Sequence, residues 1–302
     1  MNVLVFTNMW PSPGDPYGTF VAAQVDDLRA AGAHVSVLEF DARGARGAYL
    51  TAARELRRRV AAEQPDLVHA HYGLTGFVAQ AERAVPTVTT FHGSDAHVPW
   101  QRRLSRIAAR NSTPVAVSRE IAELIRRPDA AVIPMGVDTD HFRPMPRSEA
   151  RETLGLDPAR RYVLFPAGRS NAIKRYDLFA AAIAGLEVEG LPFEGYSRDE
   201  ARLLLNAVDA LLLTSAHEGS PVTVREALAC DTPVVSVSVG DVAETLSGLP
   251  GCAVVAADPA RLASAVELAL DAPRDGTLRE RALGSSRPAI AARLLELYGR
   301  LA

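Results

Sequence analysis

The residues best placed for chemistry lie in one stretch, TSAHEGSPVTVRE, residues 214–226. It follows an apolar run predicted as a strand over residues 210–214 and leads into a helical pattern over 222–229. Gly219 and Ser220 supply a turn, and Pro221 suits the first position of a helix. The unpaired N–H groups and the dipole at such a helix start favour an anion, and phosphate is the obvious one. Glu226 falls more than one turn into the helix, where a carboxylate cannot serve to attract phosphate. It can accept hydrogen bonds from ribose hydroxyls, as an acidic residue does in dinucleotide sites. Glu218, in the loop at the strand end, can accept from sugar hydroxyls. Spacing alone weighs equally for a solvated helix residue at 226 and an ordinary loop charge at 218.

A second stretch, FPAGRSNAIK (165–174), repeats the logic of a strand end followed by a glycine turn. Arg169 and Lys174 are natural counter-charges for a diphosphate, against the plain reading of two surface cations. Of 33 basic residues Lys174 is the single lysine, which weakens that plain reading slightly. In the first half, FHGSD (91–95) puts His92 at a strand end, able to hydrogen-bond a sugar or carry a proton; a structural loop histidine is the competing reading. The loop PGDPYGT (13–19) carries Gly18. It is neither the G-x-G-x-x-G dinucleotide fingerprint nor a G-K-[ST] phosphate loop, so NAD and ATP lose their main support. Asp138 and Asp140 resemble a carboxylate pair for Mg²⁺ or Mn²⁺ but fall in a proline-rich segment. His69 and His71 share one strand face, yet no third zinc ligand is near in sequence. No metal site is expected.

The elements that must position these residues alternate. Strands are expected over residues 3–7, 35–40, 66–70, 87–91, 115–117 and 132–133, with helices over 21–31, 55–63 and 77–84, and another opened by Ser118. Residues 134–146, with three prolines, a glycine and no apolar periodicity, are the best linker candidate, and after them the pattern restarts. Strands follow over 162–166, 186–189, 210–214, 233–237 and 253–255, and helices over 175–184, 198–207, 222–229, 261–270 and 290–301. Strands that are apolar throughout and separated by helices imply parallel sheets covered on both faces. The fold class is therefore α/β, with two Rossmann-like doubly wound domains facing a cleft where strand carboxyl ends meet. The 302 residues suit two domains. A net charge of −3 gives no support for nucleic-acid binding. Two cysteines suit a reducing compartment, and no apolar run is long enough to span a bilayer, so a soluble, cytoplasmic protein is expected. Arg102, Arg103, Arg106 and Arg110 beside Trp100, with Arg57, Arg58 and Arg59, suggest peripheral contact with an anionic membrane, against a merely solvated helix face.

The chain resembles the retaining glycosyltransferases of the GT-B fold, family 4, and most closely the subgroup associated with teichuronic acid or exopolysaccharide synthesis. The stretches that carry the resemblance are NVLVFTNMWPSPGDPYGTFVAAQVDDLRAAG, PDLVHAHYG, TVTTFHGSD, VAVSREIAELI, VIPMGVDTDHFRP, YVLFPAGRSNAIKRYDL and HEGSPVTVREALACDTPVVSVSVGDVAE. The last, a Glu followed by seven residues and a second Glu, is highly specific. The resemblance implies an acceptor-side domain over residues 1–143, a nucleotide-sugar-binding domain over 144–286, and a closing helix within 287–302 that crosses back to the first. It implies that Glu218 contacts donor sugar hydroxyls and Glu226 the ribose. Arg169 and Lys174 would bind the diphosphate, helped by the backbone around Gly219, Ser220, Pro221 and Val222. His92 would touch the sugar near the reacting carbon, and the Gly18 loop would face the diphosphate or the acceptor. The implied reaction moves a hexosyl group from a nucleoside-diphosphate sugar to a glycan or lipid-linked acceptor hydroxyl, with retention and no metal or other cofactor. A nucleotide-sugar epimerase of the same architecture and a non-catalytic sugar-nucleotide-binding protein are the alternatives. The chain is shorter than most members, compressed between Phe40 and Pro65 and around Trp100 to Val115. It also lacks the G-x-G-P-type loop expected after Ala184.

Overall fold

The computed structural model describes residues 1–15, 17–42 and 47–301; Pro16 of the Gly18 loop lies outside them. In the first half β1 (Asn2–Thr7) is followed by α1 (Thr19–Ala30), β2 (His34–Glu39), α2 (Ala48–Glu63), β3 (Leu67–His71) and α3 (Gly73–Ala79). Next come β4 (Thr87–Phe91), α4 (Ser94–His97), α5 (Pro99–Arg110), β5 (Thr113–Ala116), α6 (Arg119–Leu124) and β6 (Ala131–Val132). The second half holds α7 (Arg147–Leu154), β7 (Tyr162–Phe165), a 3-10 turn (Ala172–Lys174), α8 (Tyr176–Ile183), β8 (Glu189–Pro192), α9 (Arg198–Ala207) and β9 (Ala210–Leu213). It continues through α10 (Val222–Ala229), β10 (Val234–Val237), α11 (Val242–Leu246), β11 (Ala253–Val255), α12 (Pro259–Leu270) and α13 (Thr277–Leu283), and the chain closes with α14 (Arg287–Gly299).

Two compact units result. One holds Met1–Gly136 and the C-terminal stretch from Arg287; the other holds Val137–Ser286. The first sheet runs β2-β1-β3-β4-β5-β6 and the second β11-β10-β9-β7-β8, every pairing parallel. Each unit is thus a doubly wound α/β domain. The apolar strand runs explain the layering: β3 and β9 are buried at every position, because helices cover both sheet faces.

The division after Gly136 falls within the proline-rich segment, where the sequence reading put it after residue 143. Val137 N–H donates to the Ser285 carbonyl at 2.9 Å, and Phe142 is buried in the second unit's core. Arg279 donates to the carbonyls of Phe142 and Thr139. An apolar anchor and an arginine thus bind most of this segment into the second unit. At the other end α14 lies in the first unit's core beside α1, through Ile290, Leu294 and Tyr298.

The sequence reading lacks α4, α11 and α13 and starts α2 seven residues late; three further differences have identifiable reasons. Helix α3 begins at Gly73, four residues earlier, because Gly73 and Gly76 break the apolar periodicity of its first turn and leave Leu74 as the single large apolar side chain there. Gly73 and Gly76 are small by necessity, since a Cβ on either would collide with Ser105 or Thr89. Strand β8 is Glu189–Pro192 rather than 186–189, because Leu186 N–H bonds to Ile183 in the turn that closes α8. Pro192 is tolerated because β8 is an edge strand. Helix α7 was not anticipated, being polar on most faces. It is held by Arg151, whose buried guanidinium bonds Asp209 at 2.8 Å and the Ala207 and Pro158 carbonyls.

Candidate functional site

In the second unit, parallel topology sends the loops after β7, β9 and β10 to one end of the sheet. Lys174 comes from the turn after β7 and Glu218 from the loop after β9, 44 residues apart in sequence. They meet as an ion pair, Nζ to Oε1 at 2.6 Å, and Ser215 Oγ also donates to Oε1 at 2.6 Å. Thr214 Oγ1 donates to the Lys174 and Arg175 carbonyls, fastening the two loops together. Arg175, in the left-handed region at φ 55°, ends the 3-10 turn whose entry Asn171 caps. Arg169 is exposed. Its N–H bonds Glu194 Oε1 and its guanidinium lies over the Tyr176 ring, 5.5 Å from the centroid. A groove of about 1310 Å³ opens next to the pair, lined in part by Arg175, Ser215, Ala216, Ser238, Val254 and Arg261.

Helix α10 starts at Val222, with Pro221 one residue before it as the N-cap, not in the first helical position. Pro221 has no N–H to offer, so donation at this turn falls to Ser220, Val222 and the residues after it. The sequence reading missed what fixes the turn. Arg225, 4% exposed, donates to Ser220 Oγ at 2.8 Å and pairs with Asp241, while Ser220 Oγ donates to Asp241 at 3.0 Å. The Ser220 hydroxyl is thereby committed to the scaffold, and Gly240 approaches so closely that a Cβ on it would meet the Gly219 carbonyl at 2.6 Å. Arg225 stood inside the quoted motif, one residue before Glu226. Its partner Asp241 is a tertiary neighbour that no spacing rule marks. Glu226 is partly buried in α10, and burial raises its carboxyl to about 7; Arg198 opposes that rise and Asp138 adds to it.

In the first unit the FHGSD turn after β4 is built around Asp95, which is fully buried. Its carboxylate accepts from the N–H groups of His92, Gly93 and Gly73, at 3.1, 2.7 and 3.0 Å, so it ties the loops after β3 and β4 together. Burial raises the Asp95 carboxyl, although these bonds lower it. His92 Nε2 lies 3.1 Å from His71 Nδ1, and its ring packs on Phe20, the second residue of α1. Burial lowers the His92 imidazole to about 3. Gly18, the N-cap of α1 at φ 87°, has a steric reason of its own, since a Cβ there would collide with the Met9 carbonyl.

Asp138 and His69, one from each of the two possible ligand pairs, have protein partners. Asp138 accepts from His141 N–H at 3.0 Å and faces Arg198 at 3.8 Å. His69 has both ring nitrogens engaged, Nε2 with Thr90 Oγ1 at 2.7 Å and Nδ1 with Tyr298 Oη at 2.6 Å. Among the described residues no three His, Cys, Asp or Glu side chains group as metal ligands do, and no helix is long and apolar enough to cross a membrane.

Comparison with known proteins divides the chain along the same lines. Residues 2–141 match the profile of Glycosyltransferase Family 4, and residues 157–272 that of Glycosyl transferases group 1. A D-inositol 3-phosphate glycosyltransferase of Mycobacterium marinum is 30% identical over 284 aligned residues, covering 74% of this chain and 61% of that protein. TuaC of Bacillus subtilis, named for teichuronic acid biosynthesis, is 27% identical over 214 residues, 59% of this chain and 54% of that one. The chain thus spans less than two thirds of the length of these curated relatives. Among solved structures, sucrose-phosphate synthase of Thermosynechococcus elongatus superposes with a TM-score of 0.80 at 19% identity, covering 100% of this chain and 99% of the other. Anabaena HepE, crystallised with UDP, superposes at 0.77 with 18% identity and full coverage of both chains. These likenesses carry the fold, and the two profiles and the relatives carry the family: the chain belongs to the family 4 glycosyltransferases of the GT-B fold.

Proposed function

We propose that this chain transfers a hexosyl group from a nucleoside-diphosphate sugar to a hydroxyl of a glycan or lipid-linked acceptor, with retention at the anomeric carbon. The observation that carries the reading is the Lys174–Glu218 pair beside the start of α10. It sets a cation for phosphate next to a carboxylate for sugar hydroxyls. The ammonium has three donors; one is given to Glu218, and the others suit the oxygens of a diphosphate. Arg169 adds a second cation, and the α10 backbone adds donors with a favourable dipole. Glu226, a turn further in, suits the ribose. HepE has been crystallised with UDP and with UDP-glucose, which makes uridine donors the first to test.

In the proposed step the bond from the anomeric carbon to the leaving phosphate oxygen breaks, and a bond to the acceptor oxygen forms on the same face. The acceptor proton passes to the leaving phosphate. The protein's contribution is positioning and stabilisation of charge on the departing diphosphate by Lys174 and Arg169. With these cations in that role, the reaction needs no divalent metal. The family resemblance assigns His92 to the sugar near the reacting carbon. The experiment is transfer of labelled sugar from UDP-, GDP- and ADP-sugars to a membrane extract. A labelled glycan or lipid supports the reading. Interconversion of the donor sugar without acceptor would point to an epimerase, and nucleotide-sugar binding without turnover to a binding protein.

We also propose peripheral docking on anionic membrane through α5. Trp100 is 56% and Ile107 40% exposed, and Arg103 and Arg110 are exposed on the same side of the helix. Arg102 and Arg106 are half-buried, and Arg106 Nε donates to the Leu124 carbonyl, so they contribute less than their sequence spacing suggests. An apolar pair flanked by arginines suits an interface of lipid headgroups.

A further inference from the structure

The first unit holds three histidines in a row, and only one of them has a role in the reading above. His69 and His71 are consecutive on one face of β3, and both are fully buried. The rings of His69 and His71 lie 4.2 Å apart, and the His71 ring lies edge to edge with that of His92, centroids 5.3 Å apart and planes 20° apart. His69 is immobilised by Thr90 on one side and by Tyr298 of α14 on the other. His71 is therefore clamped between a fixed ring and His92.

The pattern of partners decides where the protons sit. His71 Nδ1 faces His92 Nε2, whereas His71 Nε2 is buried with no hydrogen-bond partner among the described residues. A neutral imidazole carries one N–H and one lone pair. A proton on His71 Nε2 would bury an N–H with no acceptor, the rarer and costlier arrangement. The proton therefore belongs on Nδ1 and is donated to His92 Nε2. That nitrogen is then the acceptor, which leaves the one proton of neutral His92 on Nδ1.

We propose that His71 is a positioning residue that holds His92 as its Nδ1–H tautomer, so that His92 meets the bound sugar as a hydrogen-bond donor and not as a proton acceptor. The inference rests on the reading that His92 touches the sugar. His92 could take up a proton at Nε2 only if His71 moved its own proton to the unpartnered nitrogen. The ionisable side chains next to the pair are His69, which Tyr298 holds, and Asp95. The last is committed to the backbone N–H groups of residues 73, 92 and 93. The low proton affinity of all three rings, caused first by burial, agrees with this arrangement.

The test begins with ¹⁵N-histidine labelling of the whole chain and long-range ¹H–¹⁵N correlation at pH 7. His92 and His71 are each expected to show a protonated Nδ1 and a bare Nε2. A protonated Nε2 on His92 overturns the inference with no reference to activity. Kinetics follow with the labelled-sugar assay. His71→Leu should lower kcat about tenfold, the worth of one lost hydrogen bond, with KM for the donor little changed and the His92 tautomer no longer single. His71→Asn, whose amide N–H lies near the Nδ1 position, should recover part of the kcat and the single tautomer. Loss of kcat in both variants with the His92 tautomer intact would mean that His71 acts only through packing. The expected spectrum with full kcat in His71→Leu and in His92→Ala would overturn the placement of His92 at the sugar, and the role of His71 with it.

Discussion

Glu226 offers a test that needs no knowledge of the donor. Burial raises its carboxyl from 4.5 to about 7, with Arg198 opposing and Asp138 reinforcing. The unfolded chain loses this proton near its ordinary value and the folded chain near 7. Between those values the native state binds more protons than the unfolded state, so stability falls as pH rises. The penalty is absent below the ordinary carboxylate range and complete above about 7. A shift of that size corresponds to about 3 kcal/mol, and the partial exposure of Glu226 reduces it to about 1–2 kcal/mol. Glu226→Gln keeps the shape and removes the charge. It should match the parent near pH 3.5 and exceed it at pH 8 by that amount, measured by urea unfolding of the two proteins across pH. Nucleotide binding should run the other way, because ribose hydroxyls donate to an ionised carboxylate. Affinity for nucleoside diphosphate should therefore rise through pH 7 more steeply in the parent than in Glu226→Gln. The difference between the two proteins cancels titration of the phosphate itself. Equal pH slopes of stability in the two proteins would refute a buried, raised carboxyl at this position.

The glutamates should separate in function. Glu226→Ala should weaken free nucleoside diphosphate by about 1.5–3 kcal/mol, whereas Glu218→Ala should leave that affinity intact or improved, because Lys174 loses its partner, and should mainly lower kcat; calorimetry with UDP and GDP plus turnover checks both. The double variant Arg169→Ala, Lys174→Ala should lose at least tenfold in nucleoside diphosphate affinity, and unchanged binding would remove both residues from the site. Excess EDTA should leave turnover largely intact, while abolition with rescue by Mn²⁺ would defeat the metal-independent reading. Co-sedimentation with anionic vesicles should be salt-sensitive and fall with Arg103→Glu plus Arg110→Glu, and equal binding to neutral vesicles would count against docking through α5.

Much of the architecture was open to reading because it rests on local chemistry. Apolar runs such as residues 210–213 mark strands covered on both faces, and the order of strands and helices forces parallel sheets. Ser118 caps its helix where its sequence position suggested, accepting an N–H three residues on. The types and order of Arg169, Lys174, Glu218 and Glu226 marked the candidate site, since each sits at a strand end or in the helix that follows one. Pairing across distance was decided only by the tertiary structure. No rule of spacing joins Lys174 to Glu218, Arg225 to Asp241, or Tyr298 to His69; the last two residues are 229 positions apart. The proline-rich segment looked like a linker because composition reports the backbone's freedom and not the core that Phe142 enters. The protonation of His71 and His92 was likewise beyond the sequence. A histidine's tautomer is set by the partners that its two nitrogens find, and those partners exist only once the sheets have closed over them.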